Sequence, residues 1–225
     1  MRIAFFGGSF DPPHHGHLAV ARAARTALAL DQILFAPVGR QPLKPAGSSA
    51  PFADRVAMTR LAIADDPAFA ISLADAPSPA PNYTIDTLAA LSAAHPHAEL
   101  FCLLGADSFL GLSRWHRGAE LPFAAPLIVA ARPGQSLADL TSVLPAGLIL
   151  ASPPAPISAP RDIQLQRAAV QNAAGRTAPL YLLPGLHVDL SATALRSQLH
   201  DPHQHAGLPQ PVYDYIATHN LYRND

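Results

Sequence analysis

The chain has 225 residues and a mass of 23.7 kDa, with 15 Lys+Arg against 16 Asp+Glu. That length suits one compact α/β domain able to bury a core without staples, and the charge balance offers no basic footprint for a nucleic acid or a membrane surface. The single cysteine, Cys102, excludes an internal disulfide and a cysteine-based zinc cluster. Set in the apolar run Leu100–Leu104, it reads as a buried, inert thiol.

No apolar run approaches the roughly 18–20 residues that span a bilayer, and Met1–Gly8 lacks a signal-peptide layout. The expectation is a cytoplasmic protein, monomer or homo-oligomer, with neither nucleic acid nor membrane as a partner. The 24 prolines and the abundant alanine read as a compositional habit.

Arg2–Phe6 is a short apolar run closed by Gly7-Gly8, which predicts a buried parallel strand. A Gly/Ser/Asp/Pro/His loop follows, and then a helix from about Gly16 to Leu30, with Leu18, Ala21, Ala24 and Leu28 at helical spacing. Gln32–Pro37 predicts a second strand. After the loop Gly39–Ser49 comes a helix over Pro51–Ala64 carrying Val56, Leu61 and Ile63. Phe69–Leu73 predicts a strand, Ala76–Asn82 a proline-rich loop and Thr84–Ala94 a helix. Glu99–Leu104 and Pro126–Ala131 are strands. Such alternation implies a parallel sheet with right-handed crossovers.

From Ser152 to Pro160 the chain is nearly all Ser, Pro, Ala and Ile, which predicts irregular structure. Asp162–Ala174 reads as a short helix and Pro179–Leu183 as a strand, so 152–178 is expected to be an irregular excursion within a single 1–225 domain. Ser191–Leu199 and Pro211–His219 are the closing helices.

The segment Gly7-Gly8-Ser9-Phe10-Asp11-Pro12-Pro13-His14-His15-Gly16-His17 joins the first strand to the first helix. Ligands of open parallel sheets sit at strand carboxyl ends, where helix N-termini aim free N–H groups outward. Gly7 and Gly8 would let the backbone approach a phosphate. His14 and His17, one turn apart, would face the same anion as donors to oxygens gaining charge in a transition state. Taken singly, each feature has a plainer reading. Gly-Gly after a strand is commonly a turn, paired histidines can be half of a metal site, and Asp11 can cap a helix or bind a metal-associated water. A dinucleotide-binding Gly-x-Gly-x-x-Gly is absent.

In that order and place, Gly7–His17 resembles the phosphate-binding signature of the nucleotidyltransferases with a His-x-Gly-His motif, here His14-His15-Gly16-His17. Leu190-Ser191-Ala192-Thr193-Ala194-Leu195-Arg196 is similar to their second signature. Asn82-Tyr83-Thr84, Gly105-Ala106-Asp107-Ser108, Arg114-Trp115-His116 and the ending Val212–Tyr222 resemble the bacterial nicotinate-nucleotide adenylyltransferases in particular.

That resemblance implies a Rossmann-like, doubly wound parallel sheet with a small C-terminal helical portion. It also implies transfer of the adenylyl group of ATP to nicotinate mononucleotide, with Mg²⁺ accompanying ATP. His14, His17, Lys44 and Arg196 would be the catalytic set. Gly7, Gly8, Ser9, Phe10, Gly16, Gly105, Asp107, Ser191 and Thr193 would bind ATP, Asp107 through ribose hydroxyls. Tyr83, Thr84, Trp115 and Arg132 would take the mononucleotide, with Trp115 offering a stacking face. No protein ligand to a metal is implied. One departure stands out: the family commonly has His before the loop lysine, where this chain has Leu43. Nicotinamide mononucleotide or another phosphate-bearing acceptor remains open, as does a nucleotide sensor on the same fold. Phosphopantetheine is disfavoured, because enzymes using it lack a segment like Arg114-Trp115-His116.

Overall fold

A computed structural model describes the chain except for residues 45–46, 132–142, 161–162, 185–189, 200–205 and 224–225. The first strand, β1 (Arg2–Gly8), runs into α1 (His15–Leu28) and returns as β2 (Gln32–Pro37). The next unit is α2 (Phe52–Ile63) and β3 (Phe69–Ile71), followed by α3 (Thr84–Ala94) and β4 (Glu99–Gly105). The short α4 (Ala106–Leu110) and two 3₁₀ turns lead to α5 (Leu121–Ala124) and β5 (Leu127–Ala130). Then come β6 (Leu148–Ile157), β7 (Leu165–Asn172), β8 (Thr177–Leu183), α6 (Ala192–Gln198) and α7 (Gln210–His219).

All eight strands form one sheet in the order β3-β2-β1-β4-β5-β8-β7-β6. Neighbours from β3 through to β8 are parallel, whereas β7 and β6 add antiparallel. The chain winds outward from β1 through β2 to β3 and returns on the other side of β1 as β4. That reversal opens a crevice beyond the carboxyl ends of β1 and β4, where ligands of doubly wound folds bind.

Strand alternation covers both faces of the sheet. From β1, Ala4 and Phe6 pack with Leu18 and Ala21 of α1, Met58 and Ile63 of α2, and Val212 and Ile216 of α7. Ile3 and Phe5 point the other way, onto Ile85, Leu88 and Leu91 of α3 and Phe109 after β4. Cys102 lies on this second face, fully buried, and burial, reinforced by the Asp75 charge, pushes its thiol up to about 12. An inert thiol is the outcome.

Two stretches differ from expectation. In α2 the inward face is Val56, Met58, Thr59, Ala62 and Ile63 together with Arg55, while Leu61 is 37% exposed. An arginine inside that face hides the apolar period. The larger correction concerns 152–178, which is not an irregular excursion. Residues 148–157 form the edge strand β6, and within the predicted helix over Asp162–Ala174 the described residues Leu165–Asn172 are instead β7.

The prolines of β6 are tolerated because an edge strand is bonded on one side only. The register shifts between Leu150 and Ser152 and between Ser152 and Ala155, so Pro153 and Pro154 fall in the irregularity. In β7, pairing to β8 overrides the helix preference of its Ala, Gln and Arg residues, burying Leu165, Ala168 and Val170.

Candidate active site

One cleft of about 750 Å³ opens at the β1/β4 reversal, a volume within the roughly 300–1,000 Å³ typical of small-molecule sites. Its floor is the end of β1 and the loop after it: Gly7, Gly8, Ser9, Phe10 and Asp11, then His14, Gly16 and His17 at the start of α1. Gly105, the last residue of β4, forms a second side with Asp107 and Ser108 beyond it. Ser191 and Thr193, at the start of α6, close a third. Tyr83, Thr84, Trp115 and His116 form an aromatic wall, with Asp75 and Asn82 beside it.

The two histidines stand in different environments. His14 is the extended N-cap residue of α1 (φ −141°, ψ 168°), and its ring centroid lies 3.8 Å from that of His17. The backbone N–H of His14 donates to Nδ1 of His17 at 3.2 Å. On the other side, the Phe10 ring meets His17 edge-on at 4.9 Å. Burial, and then the proximity of His14, hold His17 well below the usual histidine range. It is therefore neutral at pH 7, with its proton on Nε2, the nitrogen left to act on a ligand.

The loop carrying these residues is tied from beneath. Arg55, 2% exposed, donates to the carbonyls of Ser9 (2.6 Å), Val38 (2.8 Å) and Ala50 (3.2 Å). The Asp11 carboxylate accepts from Ser49 N (2.7 Å), Ala50 N (3.1 Å) and the Tyr222 hydroxyl (2.8 Å). Burial and then the Asp11 charge drive the Tyr222 phenol far above its ordinary value, so it stays a donor. Arg196, from α6, donates to the Asp11 carbonyl at 2.8 Å. Asp11 thus neither caps α1 nor offers an open carboxylate to an ion.

The glycines divide by function. A Cβ on Gly7 would sit 2.7 Å from the Phe5 ring and one on Gly8 3.2 Å from Phe10, so both glycines make room for a ring as well as line the cleft. Gly105 is the opposite case, since its Cβ would meet nothing within 4 Å. Its neighbour Asp107 is exposed in the first turn of α4. Ser191 takes the extended N-cap position of α6 without a side-chain capping bond, leaving its hydroxyl to the cleft.

On the aromatic wall, Tyr83 stacks on His116 with centroids 4.2 Å apart and planes at 29°. Trp115 is half-buried, and its backbone N–H donates to Leu112 O at 3.1 Å. Thr84 begins α3 and so has a first-turn N–H that the helix itself does not use. The Asp75 carboxyl, 4% exposed, accepts from the Thr87 hydroxyl, and burial raises its pKa, partly offset by that bond.

The cleft therefore gathers all but three of the residues singled out from the sequence. Lys44 is exposed and stands just outside the lining formed by Gln41, Pro42 and Leu43. Arg196 reaches the loop from behind, through Asp11. Arg132 lies outside the described residues. Sequence reasoning did not assign Arg55, Tyr222 or Asp75. The one available hint was a lone arginine in the otherwise inward face of α2.

Among the described residues, no three His, Cys, Asp or Glu side chains converge to hold a metal ion, and no helix is long and apolar enough to cross a membrane.

A family model described as cytidylyltransferase-like matches residues 5–183. Among curated relatives, a protein of Gloeobacter violaceus named "Probable nicotinate-nucleotide adenylyltransferase" is 44% identical over 190 residues, covering 81% of this chain and 89% of its own. One of the same name from Laribacter hongkongensis is 39% identical over 227 residues, covering 100% and 96%. The solved structure of the Plasmodium falciparum nicotinic acid mononucleotide adenylyltransferase complexed with NaAD superposes with a TM-score of 0.69 at 18% identity, covering 100% of this chain and 98% of that one. At that identity the superposition speaks for the fold.

Proposed function

The chain belongs to the nicotinate-nucleotide adenylyltransferase family, and from that premise we propose how its cleft carries the adenylyl group of ATP to nicotinate mononucleotide in NAD synthesis. A phosphate oxygen of the mononucleotide attacks the α-phosphorus of ATP in line. The new P–O bond forms as the bond to the bridging α–β oxygen breaks, giving deamido-NAD and pyrophosphate. No protein nucleophile is needed. The work is to hold two polyanions together and to stabilise charge on the phosphoryl oxygens.

One observation carries this reading: the histidine pair and the aromatic wall line the same continuous cleft. The ATP phosphates lie over Gly8, Ser9 and Gly16 at the first turn of α1, where free N–H groups face them. His17 donates from Nε2 to a non-bridging oxygen, and His14 stands beside it. Ser191 and Thr193 hold the outer phosphates from the opposite side, with Arg196 anchoring that wall to the motif loop. Lys44, on the adjoining loop, adds positive charge near the leaving pyrophosphate.

The adenosine end rests in the open space beside Gly105, its ribose hydroxyls reaching Asp107. The pyridine ring stacks on Trp115. Because the Trp115 amide is already used, the first-turn N–H of Thr84 is the nearby backbone donor for the nicotinate carboxylate. Arg132 is the further candidate for that pocket.

Mg²⁺ would come with ATP as substrate and would supply neutralisation of the phosphate charge, with no side chain of this cleft required to hold it. The donor set fits an ion brought in by the substrate, since the Asp11 carboxylate is already filled by three donors. The reaction is assigned to the cytoplasm.

The test is pyrophosphate release with ATP and Mg²⁺, comparing nicotinate mononucleotide, nicotinamide mononucleotide and phosphopantetheine. A strong preference for the nicotinate form supports the reading. Preference for another acceptor keeps the phosphate machinery and overturns the acceptor, and no turnover with any of them points to a nucleotide sensor.

A further inference from the structure

Asn82 lies where the two halves of the cleft touch. Its side-chain oxygen accepts from Arg40 N at 2.8 Å, and its Nδ2 donates to the Ala76 carbonyl at 3.1 Å. Its own N–H donates to the Arg40 carbonyl at 3.4 Å. Next to it, Gly39 N donates to the Asp75 carbonyl at 2.7 Å. A Cβ on Gly39 would fall 2.4 Å from Pro77 N, backbone that cannot yield cheaply. Residues 39–40 are thus strapped to 75–77, with Asn82 bonded to both.

Each strapped segment continues into one half of the site. Beyond Asn82 the chain enters Tyr83 and Thr84, the acceptor wall. Beyond Arg40 it enters Gln41, which accepts from the Ser9 hydroxyl at 3.3 Å, and then Lys44, whose N–H donates to Gln41 O at 3.2 Å. Tyr83 is thus joined through Asn82 to Arg40, and from there to the segment that touches the phosphate loop.

We propose that Asn82 is a positioning residue that couples the acceptor subsite to the triphosphate subsite, so that the mononucleotide and ATP each bind tighter in the presence of the other. The proposal rests on the placement of the two substrates given above. The bonds of Asn82 lie at a half-exposed position, where single hydrogen bonds add little to stability, so their effect is on the relation between segments. Coupling of this kind is reciprocal: each ligand changes the affinity of the other by one factor.

The experiment is calorimetric titration of an ATP analogue that cannot release pyrophosphate, with and without saturating nicotinate mononucleotide. In the wild-type protein the mononucleotide is expected to tighten the analogue on the order of fivefold or more. In Asn82→Ala that ratio falls toward one, and Asn82→Asp, which keeps the acceptor for Arg40 N and loses the donor to Ala76, gives an intermediate value. Gly39→Ala, which forces the straps apart without touching Asn82, also lowers the ratio. An unchanged ratio in Asn82→Ala, or a wild-type ratio of one, overturns the proposal. A uniform loss of affinity with the ratio preserved marks a merely structural residue and overturns it too. A wild-type protein that binds the analogue but never the mononucleotide overturns the acceptor placement, and the coupling with it.

Discussion

The backbone N–H of His14 donates to Nδ1 of His17 at 3.2 Å, and this bond decides which imidazole nitrogen faces the cleft as a donor. A neutral histidine carries one proton, so an accepting Nδ1 puts it on Nε2. The same bond uses a helix N-terminal N–H that α1 itself cannot satisfy. Helix capping and catalysis thereby share one residue pair, which explains the three-residue spacing of the motif histidines.

His17→Ala should retain the fold and lose adenylyl transfer by at least about a hundredfold in kcat, as for removal of a preorganised transition-state donor. Near-normal turnover would end its proposed role. The lowered pKa also sets a pH signature. The folded state resists protonating His17, whereas an unfolded chain takes that proton below about pH 6.5. Stability should therefore be flat with respect to this group above pH 6.5 and fall as pH drops from there toward the folded pKa. His17→Gln should lose that acid-side slope in denaturant titrations compared with wild type, and kcat should show no acid limb near pH 6.5.

The buried ties beneath the motif loop predict an order of severity. Arg55→Leu leaves the Ser9, Val38 and Ala50 carbonyls without their donor, costing roughly 3 kcal/mol or more at about 1–3 kcal/mol for each buried unpaired group. Tyr222→Phe removes one donor from a carboxylate that keeps two others, at a cost of about 1.5–3 kcal/mol. Urea unfolding should rank Arg55→Leu below Tyr222→Phe and both below wild type. A silent Arg55→Leu would contradict the network.

These residues show where sequence reading stopped. The strands and helices from β1 to β4 were legible because apolar period and Gly or Pro punctuation agree along each except α2, where buried Arg55 hides the inward face. The motif loop was legible because its parts are contiguous. Arg55 and Tyr222 act through partners brought near only by the fold; Tyr222 meets Asp11 across 211 positions. Gly7 and Gly8, which the sequence marks as clearance for phosphate, also make room for the Phe5 and Phe10 rings, contacts that only the fold shows. β7 was hidden because its helix-favouring composition yields to pairing with β8.

Opposite ends of the cleft should respond to different substitutions. Gly105→Ala places a Cβ in open space, so thermal stability should hold, but the methyl would intrude where the adenosine end rests. The ATP KM should rise at least about fivefold, the equivalent of ~1 kcal/mol of steric cost, with the mononucleotide KM little changed. Trp115→Ala should do the reverse, weakening the mononucleotide by about fivefold to a hundredfold, in line with aromatic–base stacking of about 1–3 kcal/mol. Steady-state kinetics with each substrate varied in turn distinguishes the two. Equal effects on both substrates from either variant would mean the subsites are misplaced.

The outer edge of the sheet gives the last prediction. Among the described residues β6 pairs with β7 on one side only, and Ile149 along it is 61% exposed. Such an edge is a template for pairing with another chain unless something blocks it. Here Pro153, Pro154 and Pro156 remove three N–H donors within ten residues of strand. Replacing all three with Thr should preserve turnover, since none lines the cleft, yet should promote self-association visible as a concentration-dependent rise in mass by light scattering. A variant that keeps the wild-type mass at every concentration would show that the prolines do not guard this edge. Deleting Pro153–Gly175 is a different matter. It would remove β7, strip β8 of its outer neighbour and uncover Ala178, Leu180 and Leu182, so loss of soluble protein is the expected result.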